Sequence, residues 1–155
     1  LMENASARNL WGDFLDAHLE FASKDAPKVV RFYDNEQDTN TCVDLICKET
    51  KRAVSHSLMG LQQRNMPLPK IGEFSVVTDW EGNAKCIIRT TSVKLTPFFA
   101  VREEQARLEG EGDKSLEHWK KTHWSYFSRE LAEFGKIPRE SMIVVFQGFE
   151  LLFKR

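Results

Sequence analysis

The part of this sequence best equipped for chemistry is a strip of basic and hydroxyl side chains. Lys51, Arg52, Ser55, His56 and Ser57 lie in one segment, and Lys70, Arg89 and Lys94 join them from elsewhere. Guanidinium and ammonium groups beside hydroxyls suit the binding of phosphate or carboxylate. A serine next to a lysine or histidine also has the ingredients of an activated nucleophile. Arg52 and Ser55 are three residues apart, so their relation in space depends on whether that turn is helical or extended. Arg89 is the odd member, a lone cation between Ile88 and the Thr90-Thr91 pair. Facing outward it is simply solvated; facing inward it requires an anion, either a carboxylate of the chain or a ligand phosphate.

Other reaction classes drop out. His118 and His123 are five apart, H-E-x-x-H is absent and no cysteine is adjacent, so no metal site is expected. His123 shares a helical stripe with Trp119 and Phe127, which makes it either a core histidine satisfied by one hydrogen bond or a polar group on the wall of an aromatic pocket. No G-x-S-x-G, P-loop or G-x-G-x-x-G is present, and Gly110-Glu111-Gly112 is too acidic to cradle phosphate; no cofactor is expected. Trp80, at a hairpin tip, either stacks on a base or packs on the neighbouring loop.

The elements that must hold these residues follow from periodicity. Residues 6 to 22 carry Leu10, Trp11, Phe14, Leu15, His18 and Ala22 at helical spacing, with Asn4 or Ser6 as cap. A second helix is expected over 36 to 50, with Cys42, Val43, Ile46 and Cys47 inward, and 25 to 35 reads as connector or short strand. Residues 52 to 58 suit a strand running into a short helix near Leu61, and Pro67-Leu68-Pro69-Lys70-Ile71-Gly72 suits a turn. Strands are expected at 74 to 77 and 86 to 93, joined by a hairpin through Asp79-Trp80-Glu81-Gly82-Asn83. Helices follow over 99 to 110 and 115 to 134, then a long strand from Met142 to Phe153 that is bulged near Gly148.

The composition fits one soluble domain. With 155 residues, 41% hydrophobic and 29% charged, the chain is long enough to bury a core without staples. A net charge of −1 provides no overall field toward nucleic acid or an anionic membrane, so any polyanion contact must be local. No apolar run approaches a membrane span and no signal-peptide pattern opens the chain; a cytoplasmic protein without a membrane partner is expected. Three cysteines without C-x-x-C are expected to be reduced core thiols. The grouping of helices and strands argues α+β, with a sheet that hides its edges by curling toward a barrel.

Three runs then carry a resemblance: Leu68-Pro69-Lys70-Ile71-Gly72-Glu73-Phe74-Ser75-Val76-Val77; Cys86-Ile87-Ile88-Arg89-Thr90-Thr91-Ser92-Val93; and Glu109-Gly110-Glu111-Gly112-Asp113-Lys114-Ser115-Leu116-Glu117-His118-Trp119, with His123-Trp124 and Phe127 following. Together they resemble the bacterial branch of the ASCH (activating signal cointegrator homology) domain. The resemblance implies a PUA-like β-barrel with helices packed around it, and a cleft that takes RNA or a nucleotide-like ligand. On this reading residues 1–155 form a single ASCH-like domain, with 1–30 a helical extension and 31–155 the family-like core.

The family motif at the first barrel strand is a glycine, a lysine two residues on and polar residues beyond. Aligned on Ser57-Leu58, Thr50 stands at the glycine, Arg52 at the lysine and Ser55 at a hydroxyl; sliding by one puts Lys51 at the lysine and Val54 at the hydroxyl. The first register retains the hydroxyl and is preferred. One enzymatic relative is similar to an amidohydrolase acting on N4-acetylcytidine through lysine, threonine and glutamate, and that glutamate position corresponds to Arg89. Arginine does not serve as a base at neutral pH, so two arginines imply a cationic pocket for an anionic ligand.

The expected site is therefore a pocket bounded by Arg52, Ser55, Lys70, Arg89, Trp119 and His123, recognising RNA or a small or terminal nucleotide-like ligand. The competing expectation is a hydrolase, either an amidohydrolase or a nuclease, with Ser55 as nucleophile and Lys51 or His56 as base. A third is a barrel whose only partner is another protein.

Overall fold

The structure is a computed structural model and describes residues 3–155. Its elements in chain order are α1 (Ala5–Ala17), a 3-10 turn (Leu19–Phe21), β1 (Lys28–Val30), α2 (Glu36–Cys47), β2 (Ala53–Ser57), α3 (Leu58–Gln63), β3 (Phe74–Thr78), β4 (Ala84–Pro97), a second 3-10 turn (Phe98–Ala100), α4 (Glu103–Glu109), α5 (Leu116–Ala132) and β5 (Ile143–Lys154). The five strands form one mixed sheet in the order β1-β3-β4-β5-β2. β1 runs parallel to β3 and the other pairs are antiparallel. The sheet curls as a half-barrel, with β1 and β2 as its edges, and five α-helices pack around it. The α+β expectation and the family's barrel-like architecture are both met.

Alternation along the strands sorts side chains into separate cores. On β3, Phe74 and Val76 meet Leu10, Trp11 and Phe14 of α1, together with Ile87. Val77, one step on, joins Cys42, Val43 and Ile46 of α2 with Val54, Cys86, Ile88 and Phe149. A third cluster places Trp119, Phe127 and Leu131 of α5 against Phe98, Val101, Ala106 and Val144. Burying a Phe such as Phe14 contributes roughly 2–3 kcal/mol, so α1 is part of the folded unit rather than an appendage.

Capping sets the helix starts. Asn4, Asn35, Ser57 and Ser115 each accept a backbone N–H from the first turn of α1, α2, α3 and α5. α1 ends earlier than its periodicity suggests, at Ala17, and the chain continues through Leu19–Phe21 as a 3-10 turn. β4 extends to Pro97, beyond its β-branched core, because β5 pairs with it along its whole length. The irregularity expected near Gly148 is shared between strands: Thr90 pairs with Phe149 and Ser92 with Gly148, leaving Thr91 unpaired.

Candidate functional site

The turn before β2 delivers Lys51 into the interior. Glu49 adopts a left-handed backbone conformation (φ 61°), and the Thr50 and Lys51 amides both bond back to the Leu45 carbonyl, closing the end of α2. Lys51 is fully buried, and so is Glu109, the last residue of α4. The Lys51 Nζ donates to Glu109 Oε1 at 2.8 Å and lies 3.5 Å from Glu111 Oε2. Gly110 follows Glu109 in a left-handed conformation (φ 65°), and a Cβ there would strike the Thr50 carbonyl, so the close approach of the α4 cap to the Lys51 turn requires glycine.

Glu109 is saturated with donors. Beyond Lys51 it accepts from Ser55 Oγ at 2.6 Å and from the Trp119 indole N–H, and His123 Nε2 lies 3.5 Å from its other oxygen. His123 stacks on Trp119 with ring centroids 4.2 Å apart and gives its Nδ1 hydrogen to the Trp119 carbonyl at 2.9 Å. Tyr33, held at φ 69°, donates its hydroxyl to Glu111 at 2.6–2.7 Å and closes the cluster.

The electrostatics follow from this packing. Burial disfavours the charged form of Glu109, but the Lys51 ammonium and His123 outweigh it and hold the carboxyl well below its ordinary range. Burial opposes the Lys51 charge too, and Glu109 with Glu111 reverses it, raising the ammonium. For His123, burial likewise works against protonation and Glu109 overrides it, so its pKa is raised. Glu109, Glu111 and His123 have ligand atoms close enough to hold a metal ion. The Lys51 ammonium already fills the cation's role between the two carboxylates.

Across β2 the neighbouring residues point the other way, as the pleat demands. His56 Nε2 donates to Gln147 Oε1 at 2.8 Å, and Gln147 Nε2 donates to Thr90 Oγ1 at 2.8 Å, which orients the amide. Burial pushes the His56 pKa down and leaves the ring neutral, with the Gln147 bond opposing only in part. This face opens into a cleft of about 380 Å³ bounded by β1, β2, α3, the 64–73 loop and α5. Phe32, Tyr33 and Tyr126 supply aromatic surface there, His56 and Gln147 supply polar groups, and Lys28, Arg31 and Arg64 supply three cations against the single carboxylate of Glu73. Arg64 is braced by Glu130 of α5 at 2.5 Å, and Arg31 lies 4.1 Å over the Trp80 ring.

The family model for the ASCH domain matches residues 28–153, most of the chain. This protein belongs to the ASCH family. Two solved structures are similar to it. One is an ASCH domain from Lactobacillus crispatus JV V101, 33% identical, with 94% of this chain and 93% of that one covered and a TM-score of 0.88. The other is a protein from Enterococcus faecalis V583, 30% identical, with 95% and 88% covered and a TM-score of 0.84. No curated protein matches the sequence. None of the described helices is long and apolar enough to cross a membrane.

Of the two neighbouring basic residues, Lys51 enters the interior after the left-handed turn at Glu49, while Arg52 is exposed. Ser55 Oγ reaches Glu109, and Val54 faces the α2 core. The carboxylate that meets Lys51 and Ser55 is Glu109, whereas Arg89 stands on β4.

The expected convergence of two guanidiniums does not occur. Arg89 lies directly across from Glu150 on β5 and donates to it through Nε at 3.0 Å, with the Phe21 and Phe74 rings within 6.0 Å. The chain thus provides its own anion. Arg52 and Lys70 are exposed, and neither they nor Arg89 line the cleft. Trp119 and His123 are buried with Glu109 rather than bounding an open pocket. Ser55 and Lys51 meet through Glu109 and His56 bonds Gln147, while Ser55 and His56 both line the cleft. Trp80 packs under Arg31, the loop-packing alternative.

Sequence reasoning missed Glu109 and Glu111 as site residues, although both lie in the Glu109-Gly110-Glu111-Gly112 run. Two acids flanking a glycine at a helix end, in a chain with a lysine at the motif position, was the available signal. Arg64, Tyr126 and Gln147 carried no local signal, because three distant segments bring them together.

Proposed function

We propose that this ASCH domain binds a small or terminal nucleotide-like ligand, such as an RNA end, in the cleft between β1, β2 and α5. The observation that carries the reading is the joint presence, in one 380 Å³ cleft, of aromatic surface, an oriented amide–imidazole pair and an excess of cations. Aromatic rings accept any base by stacking, polar groups read its edge, and Arg64 and Arg31 neutralise phosphate. Lys28 pairs with Glu73 and Arg64 with Glu130, so the local excess of cations is small, and in a chain of net charge −1 it favours one or two phosphates over a long tract.

Hydrolysis through Ser55 has less support. Lys51 is held as an ammonium and cannot take the serine's proton at neutral pH. Glu109 is a weak base because four donors surround it. The buried cluster serves as the rigid wall behind Tyr33 rather than as a proton relay.

Isothermal titration with 5′-nucleoside monophosphates, the corresponding nucleosides and inorganic phosphate tests this. The expected result is saturable binding of the monophosphate, at least about ten-fold tighter than the nucleoside or phosphate alone, which corresponds to about 1.4 kcal/mol. No heat with any nucleotide, or release of product that Ser55→Ala abolishes, would overturn it.

A further inference from the structure

Away from the cleft, the C-terminus of α2 sits against the start of β4 and the end of β5. Cys47 ends α2 half-exposed. Its carbonyl accepts from Lys154 Nζ at 3.0 Å and its Sγ lies 3.9 Å from the Lys85 carbonyl. Lys154 is the β5 partner of Cys86, the residue after Lys85. Cys47 thus lies beside the residue that precedes Cys86 and against the strand partner of Cys86, and it packs on the hydrophobic cluster to which Cys86 belongs.

We propose that Cys47 and Cys86 form an oxidative modification site, in which Cys47 is the peroxide-reactive thiol and Cys86 resolves it as a reversible disulfide.

The two thiols are differentiated as such a pair needs. The Cys86 thiol donating to Cys47 lowers the Cys47 pKa to about 7; burial opposes this and Lys154 adds to it. A thiolate fraction at neutral pH combined with partial exposure is what makes a cysteine reactive. Cys86 is held protonated, first by that donation and then by burial. Cys42, in the same cluster, is pushed up to about 12 by burial and stays inert.

The chemistry balances with hydrogen peroxide as oxidant. The Cys47 thiolate attacks one peroxide oxygen, the O–O bond breaks, and sulfenic acid and hydroxide result. Once Cys47 is sulfenic, Cys86 no longer donates to a thiolate. Its proton passes to the hydroxide, its sulfur attacks the Cys47 sulfur, and the sulfenic oxygen leaves as hydroxide, which takes up the proton that Cys47 released on ionising. Both sulfurs are oxidised by one electron each and peroxide is reduced to water. The bond would tie α2 to β4 and close the chain that carries β2, α3 and the 64–73 cleft loop.

Intact-mass and peptide mapping of the native protein after hydrogen peroxide tests this. The expected product lacks two hydrogens, maps as a Cys47–Cys86 cross-link, returns to the starting mass with dithiothreitol and leaves Cys42 free. Cys86→Ser should instead accumulate a dimedone-reactive sulfenic acid on Cys47, about ten-fold or more above wild type. Because wild-type mapping needs no variant, a poorly folded Cys86→Ser leaves the test intact. Over-oxidation of Cys47 to sulfinic acid without a cross-link, pairing through Cys42, or no change in mass would each overturn the proposal.

Discussion

Lys51 Nζ and Glu109 Oε1 lie 2.8 Å apart with neither side chain reaching solvent. One comes from the turn before β2 and the other from the last turn of α4, so a single ion pair pins the helical layer to the sheet edge. Removing one partner of a buried pair strands the other, at a cost of about 3–5 kcal/mol. Glu109→Ala strands Lys51, Ser55 and Trp119 at once and should lose at least that much in urea unfolding. Replacing the pair together with Met and Leu should recover the part due to the stranded Lys51 charge and leave the cost of the unpaired Ser55 and Trp119 donors; a loss equal to that of Glu109→Ala would show that the stranded charge is not part of the origin.

The two internal histidines should titrate in opposite directions. Glu109 raises His123 and burial lowers His56. Proton-detected titration should place the His123 midpoint above the ordinary value of about 6.5 and that of His56 below it. The sign carries to stability. The raised His123 contributes fully below about pH 6.5 and its contribution fades as pH rises through its folded pKa. The depressed Glu109 contributes above the ordinary carboxylate value of about 4.3 and its contribution fades as pH falls toward its folded pKa. A wild-type pH–stability curve should therefore decline on both limbs, and His123→Gln should flatten the alkaline one and, by removing a charge that depresses Glu109, part of the acid one.

Gly60 occupies a position where a Cβ would meet the Glu130 carboxyl and the Ser57 hydroxyl that caps α3. Gly60→Ala should destabilise by about 1–3 kcal/mol through overpacking, and Glu130→Ala in that background should relieve part of it. A Gly60→Ala variant as stable as wild type by thermal melting would contradict the packing described here.

Arg89 and Arg64 separate the expected site from the observed one. Arg89→Ala should cost up to about 1 kcal/mol, the range of exposed pairs, and leave nucleotide affinity unchanged. Arg64→Gln should weaken nucleotide binding about five- to thirty-fold, or roughly 1–2 kcal/mol, measured at a temperature where both variants are folded.

These two arginines also show how far the sequence could be read. The β-branched run around Arg89 specified its strand, and the Glu109–Trp119 motif specified the family, because both signals are local. What Arg89 faces was not local: its partner Glu150 lies on β5, and only register places them opposite. The same holds for Lys51. A one-residue shift decides whether Lys51 or Arg52 enters the interior, and the deciding feature, the left-handed backbone at Glu49, leaves no trace in residue type. Ser55 was singled out for its hydroxyl, yet its role depends on Glu109 arriving from α4. Side-chain types and spacing revealed the elements, while the charge partners waited on tertiary pairing.

The most direct test of the central claim is amide and side-chain chemical-shift mapping on the labelled protein titrated with a 5′-nucleoside monophosphate. Binding in the cleft predicts saturable shifts concentrated on Phe32, Tyr33, His56, Arg64, Tyr126 and the Gln147 side-chain amide, with Arg52 and Arg89 unmoved. Shifts centred on Arg52 and Arg89, or no saturable shift at any described residue, would contradict it.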